Sequence, residues 1–190
     1  MDDYLPEYDV ANHHEVVVDS STDRAYAAAR AIDLSSSLPT KILFGIRGIP
    51  HFLMHGTRLT QALTLDSMQT IGFVILEEEP GAELVIGAVG RFWRPDSGFL
   101  EVPAPELASF DRPGFAKAAM NIYVRSYAGD KCLVGTETRV QTTDAWARAK
   151  FSIYWRLIGP FSGVIREWLL DAIKNEAERS VDLQLPAEAR

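Results

Sequence analysis

Residues 154–173, YWRLIGPFSGVIREWLLDAI, combine the spacing of a helix, the apolar content of a core and a Gly-Pro pair at their centre. The reading of that pair decides the fold. At about 100° per residue counted from Phe151, one side collects Tyr154, Trp155, Leu157, Ile158, Phe161, Ile165, Trp168, Leu169, Ala172 and Ile173. Arg156, Glu167, Asp171, Lys174 and Glu178 fall on the other side, with Pro160 at its centre. A proline there removes the hydrogen bond to the Arg156 carbonyl and pushes that carbonyl aside, so the helix bends away and water satisfies the freed group. The spacing predicts one kinked helix over 144–178, capped by Thr143 or Asp144, whose apolar stripe curls around whatever it covers. Two helices meeting at Gly159-Pro160 is the alternative.

Upstream of this helix the period changes. HHEVVVD (13–19) has the pattern of a short strand, and Ser20-Ser21-Thr22-Asp23 supplies caps for an Ala-rich helix through about Ile32. LPTKILFGIRGIPHFLMHG (38–56) is apolar and helical in spacing but interrupted by Gly45, Gly48 and Pro50. From Ile71 to Thr143 the signals are those of antiparallel sheet. IGFVILEE and ELVIGAVGRFWR flank Glu79-Pro80-Gly81-Ala82, where Pro then Gly suits a type II turn. FAKAAMNIYVRSY and KCLVGTETRVQTT flank Ala128-Gly129-Asp130, a second hairpin. Between the hairpins, the Pro-rich stretch 95–113 predicts a long loop. Residues 1–11 read as an N-terminal arm, 12–178 as one domain and 179–190 as a frayed tail. A sheet with one apolar face must cover it, and the bent helix is the available cover.

Composition narrows the function classes. With 190 residues, 47% hydrophobic and 24% charged, the chain has the make-up of one ordinary globular domain. A formal charge of −7 argues against nucleic-acid partners, which require a basic surface. Cys132 is the only cysteine, so no internal disulfide forms and a reducing compartment fits. No basic-then-apolar leader and no run of about 18 uncharged residues is visible, so the expectation is a cytoplasmic protein without membrane insertion.

The order of strand, helices, antiparallel strands and one long terminal helix resembles the helix-grip fold of the START-like superfamily, also called SRPBCC. GFVILEEEPGAELVIGAVGRFWRP, PGFAKAAMNIYV and LVGTETRVQTTDAWARAKFSIYWRLIGPFSGVIREWLLDAI are similar to a bacterial branch of it, related to polyketide cyclase and lipid-transport-like proteins. The resemblance spans about residues 12–178 and is specific for fold rather than for activity. It implies an α+β architecture in which a curved antiparallel sheet wraps the C-terminal helix and leaves a cavity between them. The superfamily includes lipid and sterol carriers, polyketide cyclases, aromatic-ring oxygenase domains and chaperone activators.

Strand register can be worked out from the second hairpin. A three-residue turn at 128–130 pairs Tyr127 with Lys131, Asn121 with Glu137 and Ala119 with Arg139. One face then carries Ala118, Met120, Ile122, Val124, Val134, Thr136, Thr138 and Val140. The other carries Lys117, Asn121, Tyr123, Arg125, Glu137, Arg139 and Gln141. The apolar face should meet the helix. The expected binding residues are therefore Met120, Ile122, Thr136 and Thr138 opposite Phe151, Trp155 and Ile158, with the threonine hydroxyls as polar handles for a hydrophobic ligand: a lipid, a polyketide-like molecule or an aromatic metabolite. Ordinary core packing without a cavity is the competing reading.

Arg91, Asn121, Glu137, Arg139 and Tyr154 form a second rank of polar candidates. Turned inward, Glu137 and Arg139 would serve an enzyme of cyclase, aromatase or hydratase type. Turned outward, they form a cross-strand network of little energetic weight. A third reading is a protein-interaction module with a filled core. Other motifs fall away. GAVGRF lacks the Lys-Ser/Thr ending of a phosphate loop, and His51 and His55 have metal-ligand spacing without the glutamate of a metalloprotease. Glu77-Glu78-Glu79 reads as a solvated turn flank, and no catalytic residue, metal or cofactor is assigned.

Overall fold

The computed structural model describes residues 1–33, 68–69 and 72–182. β1 (Val10–Val18) and α1 (Thr22–Ala31) come first, followed by the hairpin of β2 (Phe73–Glu79) and β3 (Glu83–Gly90). The single turn α2 (Ala104–Leu107), the hairpin of β4 (Ala116–Ser126) and β5 (Cys132–Thr142), and α3 (Ala145–Asp182) complete the chain. Among the described residues the strands form one antiparallel sheet in the order β1-β5-β4-β3-β2. The sheet is curved and α3 lies across one face, which is the helix-grip arrangement of an α+β protein.

Both predicted turns form. The Ala82 N–H donates to the Glu79 carbonyl at 2.9 Å with Gly81 at φ 86°, as a type II turn requires. The Tyr127 N–H donates to the Lys131 carbonyl at 2.9 Å, and β4 and β5 pair Asn121 with Glu137 and Ala119 with Arg139. Met120, Ile122, Thr136 and Thr138 therefore share the inner face towards α3. β1 pairs His14 with Thr136 and Asn12 with Thr138, so those two side chains share that face as well. A bulge between Ile75 and Glu77 shifts the alternation of β2 by one residue. It brings Glu78 beside α1, where the Tyr26 hydroxyl donates to it at 2.8 Å and Arg30 Nε lies at 3.5 Å. Glu77, Glu78 and Glu79 are exposed, as expected of a turn flank, and Glu78 in addition tethers α1.

α3 runs unbroken through Pro160, which removes the two-helix alternative. Asp144 is the cap: its Oδ1 accepts from the Ala147 N–H at 2.7 Å and its other oxygen from the Gly114 N–H. Backbone hydrogen bonding, first from Ala147, holds its carboxyl below the ordinary range. The Gly-Pro pair has two separate roles. Pro160 is solvent-exposed, while Gly159 leaves room for the Trp155 indole, whose Nε1 would lie 3.1 Å from a Cβ at that position. At the far end, Lys174 Nζ donates to the Val17 carbonyl at 2.8 Å and Glu178 accepts the Asp19 N–H at 2.8 Å.

These ties set the rotation of the helix, and they correct the apolar stripe. Leu157 and Phe161, expected to be covered, are 63% and 37% exposed, and Trp146, Ile153 and Val164 lie on the same open side. The buried side is Ala147, Phe151, Ile158, Arg166, Leu169, Leu170, Ile173 and Ala177. It is turned by roughly 60° from the direction of greatest apolarity, because Lys174 and Glu178 bind the end of β1 instead of facing water.

The outer face of the sheet is also covered in part. Leu5, in the N-terminal arm, and Leu107, in α2, are fully buried there with Val89, Phe115 and Ala119. Gly87 makes the seat for Leu107, whose Cδ1 would lie 2.5 Å from a Cβ at that position. The 95–113 stretch, read as a long loop, divides between the two sides of the sheet. Phe99 packs on the inner side against Phe73 at 5.5 Å, and α2 lies on the outer face. The 38–56 stretch and the His51–His55 pair lie outside the described residues. Among the described residues no helix is long and apolar enough to cross a membrane.

The rotation of α3 is testable with adjacent residues. Ile158→Ala should destabilise the protein by about 2–4 kcal/mol, while Leu157→Ala should change stability by less than about 0.5 kcal/mol. Urea unfolding of the two variants reads the difference, and equal losses would contradict the packing described.

Candidate functional site

Two apolar clusters occupy the inner side of the sheet. One joins α1, the strand ends near Val18 and Val134, and Leu169, Leu170, Ile173 and Ala177 of α3. The other joins Ala88, Ala116 and Val140 to Phe151, with Tyr154 and Trp155 beside it. Between them the inward side chains turn polar: Asn12, His14, Thr136 and Thr138 on the sheet, Ser162 and Arg166 on the helix. A Cβ at Gly163 would stand 4.0 Å from His14 Nε2, which fixes the level at which helix and β1 meet. Asn12, His14, Met120, Thr138 and Trp155 all face α3 yet remain only partly buried.

The seven predicted binding residues all lie on these two facing surfaces, with different degrees of enclosure. Ile122, Thr136, Phe151 and Ile158 are buried. Met120, Thr138 and Trp155 keep accessible surface. Phe151 stacks on Trp155 with ring centres 5.6 Å apart, and Tyr154 lies 5.9 Å from Phe151. The two threonine hydroxyls are not equivalent. Thr136 Oγ1 donates to the Asn121 carbonyl at 2.6 Å and is no longer a handle. Thr138 Oγ1 is buried and has no hydrogen-bond partner among the described residues.

Arg166 is the residue that the apolar stripe did not reveal. It is 7% exposed on the buried side of α3, and its Nη1 donates to the Ser162 carbonyl at 2.8 Å and to Ser162 Oγ at 2.6 Å. Among the described residues no carboxylate pairs with it, and its Nε has no acceptor. Burial alone pulls its pKa down to about 10, which leaves it charged at neutral pH. A base whose folded pKa lies below its unfolded one destabilises wherever both states are charged. The cost, on the order of a few kcal/mol, is therefore present in full below pH 10 and fades only as pH rises above it. The signal in the sequence was positional: Arg166 follows Ser162 by four residues and precedes Leu169 and Leu170 on one helix side.

Glu137 and Arg139 lie on the outer face, so they form no pair on the face towards α3. Arg139 Nε donates to Glu137 at 2.6 Å and Nη1 to the Leu5 carbonyl at 3.0 Å, with Asp2 as a further partner and the Tyr8 ring 4.9 Å away. The cross-strand network is half-buried rather than open, because the N-terminal segment folds over it. Asn121 joins it, donating to Glu83 at 2.6 Å. Tyr123 lies flat over Gly135, its hydroxyl 2.6 Å from His13 Nε2 and bonded to Glu15. Burial, reinforced by Glu15, pushes that phenol well above its usual range, the wrong direction for a base. Arg91 is remote from α3's polar waist; its Nε donates to the Gly114 carbonyl at 3.1 Å and its guanidinium stacks 4.3 Å from the Phe115 ring.

An open groove of about 700 Å³ runs along the α1–α3 seam, lined by Ala28, Ile32, Trp168, Ala172 and Asn175 among others. It contains none of the residues above, and its Asp171, Glu176 and Arg179 are solvent-exposed. Among the described residues no group of three or more His, Cys, Asp or Glu side chains could hold a metal.

No protein-family model and no curated protein sequence matches the chain. Among solved structures it is similar to truncated norcoclaurine synthase from Thalictrum flavum, at 12% identity and a TM-score of 0.42, over 93% of this chain and 95% of that one. It is also similar to a conserved protein from Geobacillus kaustophilus, at 11% identity and a TM-score of 0.45, over 90% and 97%. CalU16 from Micromonospora echinospora aligns at 13% identity and a TM-score of 0.31, over 91% and 87%. At these identities and scores none of them lends a residue role or a ligand to this chain.

Two substitutions separate the faces. Arg139→Ala should cost about 1–3 kcal/mol of stability through the loss of the N-terminal tether, and leave the affinity for an apolar fluorescent probe unchanged. Arg166→Met should instead stabilise the ligand-free protein by about 1–3 kcal/mol, read as a rise in Tm at pH 7.

Proposed function

We propose that this protein binds a hydrophobic small molecule, such as a lipid, a polyketide-like compound or an aromatic metabolite, between α3 and the inner face of the sheet. One observation carries the reading. Side chains that point at the helix, among them Met120, Thr138, His14 and Trp155, are only partly buried, although Ile122, Thr136 and Ile158 beside them are buried. A filled core would bury the centre of that face most deeply. Apolar walls with a few convergent polar groups are the ordinary make-up of a small-molecule site. Each contact with Met120, Trp155 or Ile158 contributes transfer free energy on the order of 1.5–3 kcal/mol when it buries a whole aliphatic or aromatic group.

Binding is a better description than turnover. The pair on which a cyclase or hydratase would rest, Glu137 and Arg139, points away from this space. The polar side chains described on the inner waist are His14, Asn12, two threonines, Ser162 and Arg166, and the carboxylate that meets them, Glu167, lies 3.9 Å from His14 Nδ1 on the solvent-exposed side of α3.

Native mass spectrometry of protein purified from cells should detect a bound apolar species. A fluorescent apolar probe should bind and be displaced by that species, and ligand at a hundredfold excess over Kd should add about 2.7 kcal/mol to stability. Met120→Trp should weaken probe binding at least severalfold by filling the space. The absence of both a copurifying species and probe binding would defeat the proposal.

A further inference from the structure

We infer that the ligand is an amphipathic acid whose carboxylate pairs with Arg166 while its apolar body lies against Met120 and Trp155. The inference rests on the binding reading above and names the class of molecule that the site takes.

Three observations converge. First, a guanidinium on the inner side of α3 is more than nine-tenths buried and has no carboxylate partner among the described residues. A buried cation without a counter-ion is unfavourable, and natural cores supply one or exclude the charge. Second, the hydrogen bonds already made leave one particular edge open. Nη1 uses its hydrogens on the carbonyl and the hydroxyl of Ser162. Nε and Nη2 remain, and their parallel N–H bonds match the two oxygens of a carboxylate. The Ser162 bonds also hold the guanidinium plane in place, so little freedom is lost when an anion docks. Third, Thr138 Oγ1, on the sheet face towards α3, is buried and without a partner among the described residues, and a hydroxyl is a suitable donor to a carboxylate oxygen.

The charge count favours a carboxylate over a phosphate. A phosphate monoester carries about −1.5 to −2 at neutral pH, more than one buried arginine neutralises, whereas a carboxylate balances it one to one. The apolar clusters on either side then receive the rest of the molecule, either an acyl chain or a fused aromatic body.

Matched probe pairs test this: lauric acid with methyl laurate, and 1-pyrenebutyric acid with its methyl ester, with dodecyl phosphate as the competing anion. Full-length protein should bind at least one of the two acids about 10–100-fold more tightly than its ester, the range of a charge-assisted hydrogen-bond pair, and more tightly than dodecyl phosphate. Arg166→Met should remove that preference by weakening the acid and leaving the ester unchanged, and Arg166→Lys should keep part of it. Thr138→Val should narrow it severalfold. Equal binding of acid and ester by the unaltered protein, or a preference that survives in Arg166→Met, overturns the inference while leaving hydrophobic binding intact. Tighter binding of dodecyl phosphate than of lauric acid overturns the choice of carboxylate. Binding of neither acid nor ester, with both variants folded, overturns the binding reading itself.

Discussion

The register of β4 against β5 is the constraint on which the remaining structure depends. The three-residue turn at 128–130 makes Asn121 face Glu137, and so sends Met120, Ile122, Thr136 and Thr138 together to one side. A slip by one residue would exchange that set for Asn121, Tyr123, Glu137 and Arg139, placing ionised groups under the long helix. The desolvation cost of such an exchange makes the register as firm as the core itself. β1 inherits the same phase by pairing with β5, which is how His14 and Asn12 arrive opposite the helix and how His13 and Glu15 reach Tyr123 on the other face.

The packing above this face follows from how α3 is held. Its first turn is fixed by Asp144 and by Thr143, whose hydroxyl donates to the Phe115 carbonyl at 3.0 Å. Its far half is fixed to the end of β1 through Lys174 and Glu178. Large apolar residues lie near both ends of the buried side, Phe151 and Ile158 towards one and Leu169 to Ile173 towards the other. Around the middle come Gly159, Ser162 and Gly163, which carry little bulk. Arg166 is the one large buried side chain among them, and opposite this stretch Met120 and Thr138 of the sheet are only partly buried.

Arg166 breaks the rule that such a layer is apolar, and local violations of that kind are expected at functional positions. Its desolvation lowers stability in the absence of a counter-ion, a trade of stability for recognition. The outer face handles charge in the opposite way. Arg139 is enclosed by the N-terminal segment but is met by Glu137, Asp2 and the Leu5 carbonyl, so that its charge is stabilised and its pKa raised, chiefly by the hydrogen bond to Glu137. One arginine is spent on tying down the chain, whereas the other is left available.

Much of this was legible in the residues. The period-2 alternation of 116–142, the Pro80-Gly81 turn and the length of the terminal helix follow from local rules, and together they determine the strand faces and the layer order. Three features depended on contacts distant in sequence. The rotation of α3 was decided by Lys174 and Glu178 meeting the end of β1, which overrode the direction of greatest apolarity and uncovered Leu157 and Phe161. The burial of the outer network was decided by Leu5 and α2, because nothing in an alternating strand states what will cover its polar side. Arg166 became a site residue only once the helix was turned and both its ends were tied: periodicity reports which side chains are greasy, whereas the environment of one charged group is set by everything packed around it.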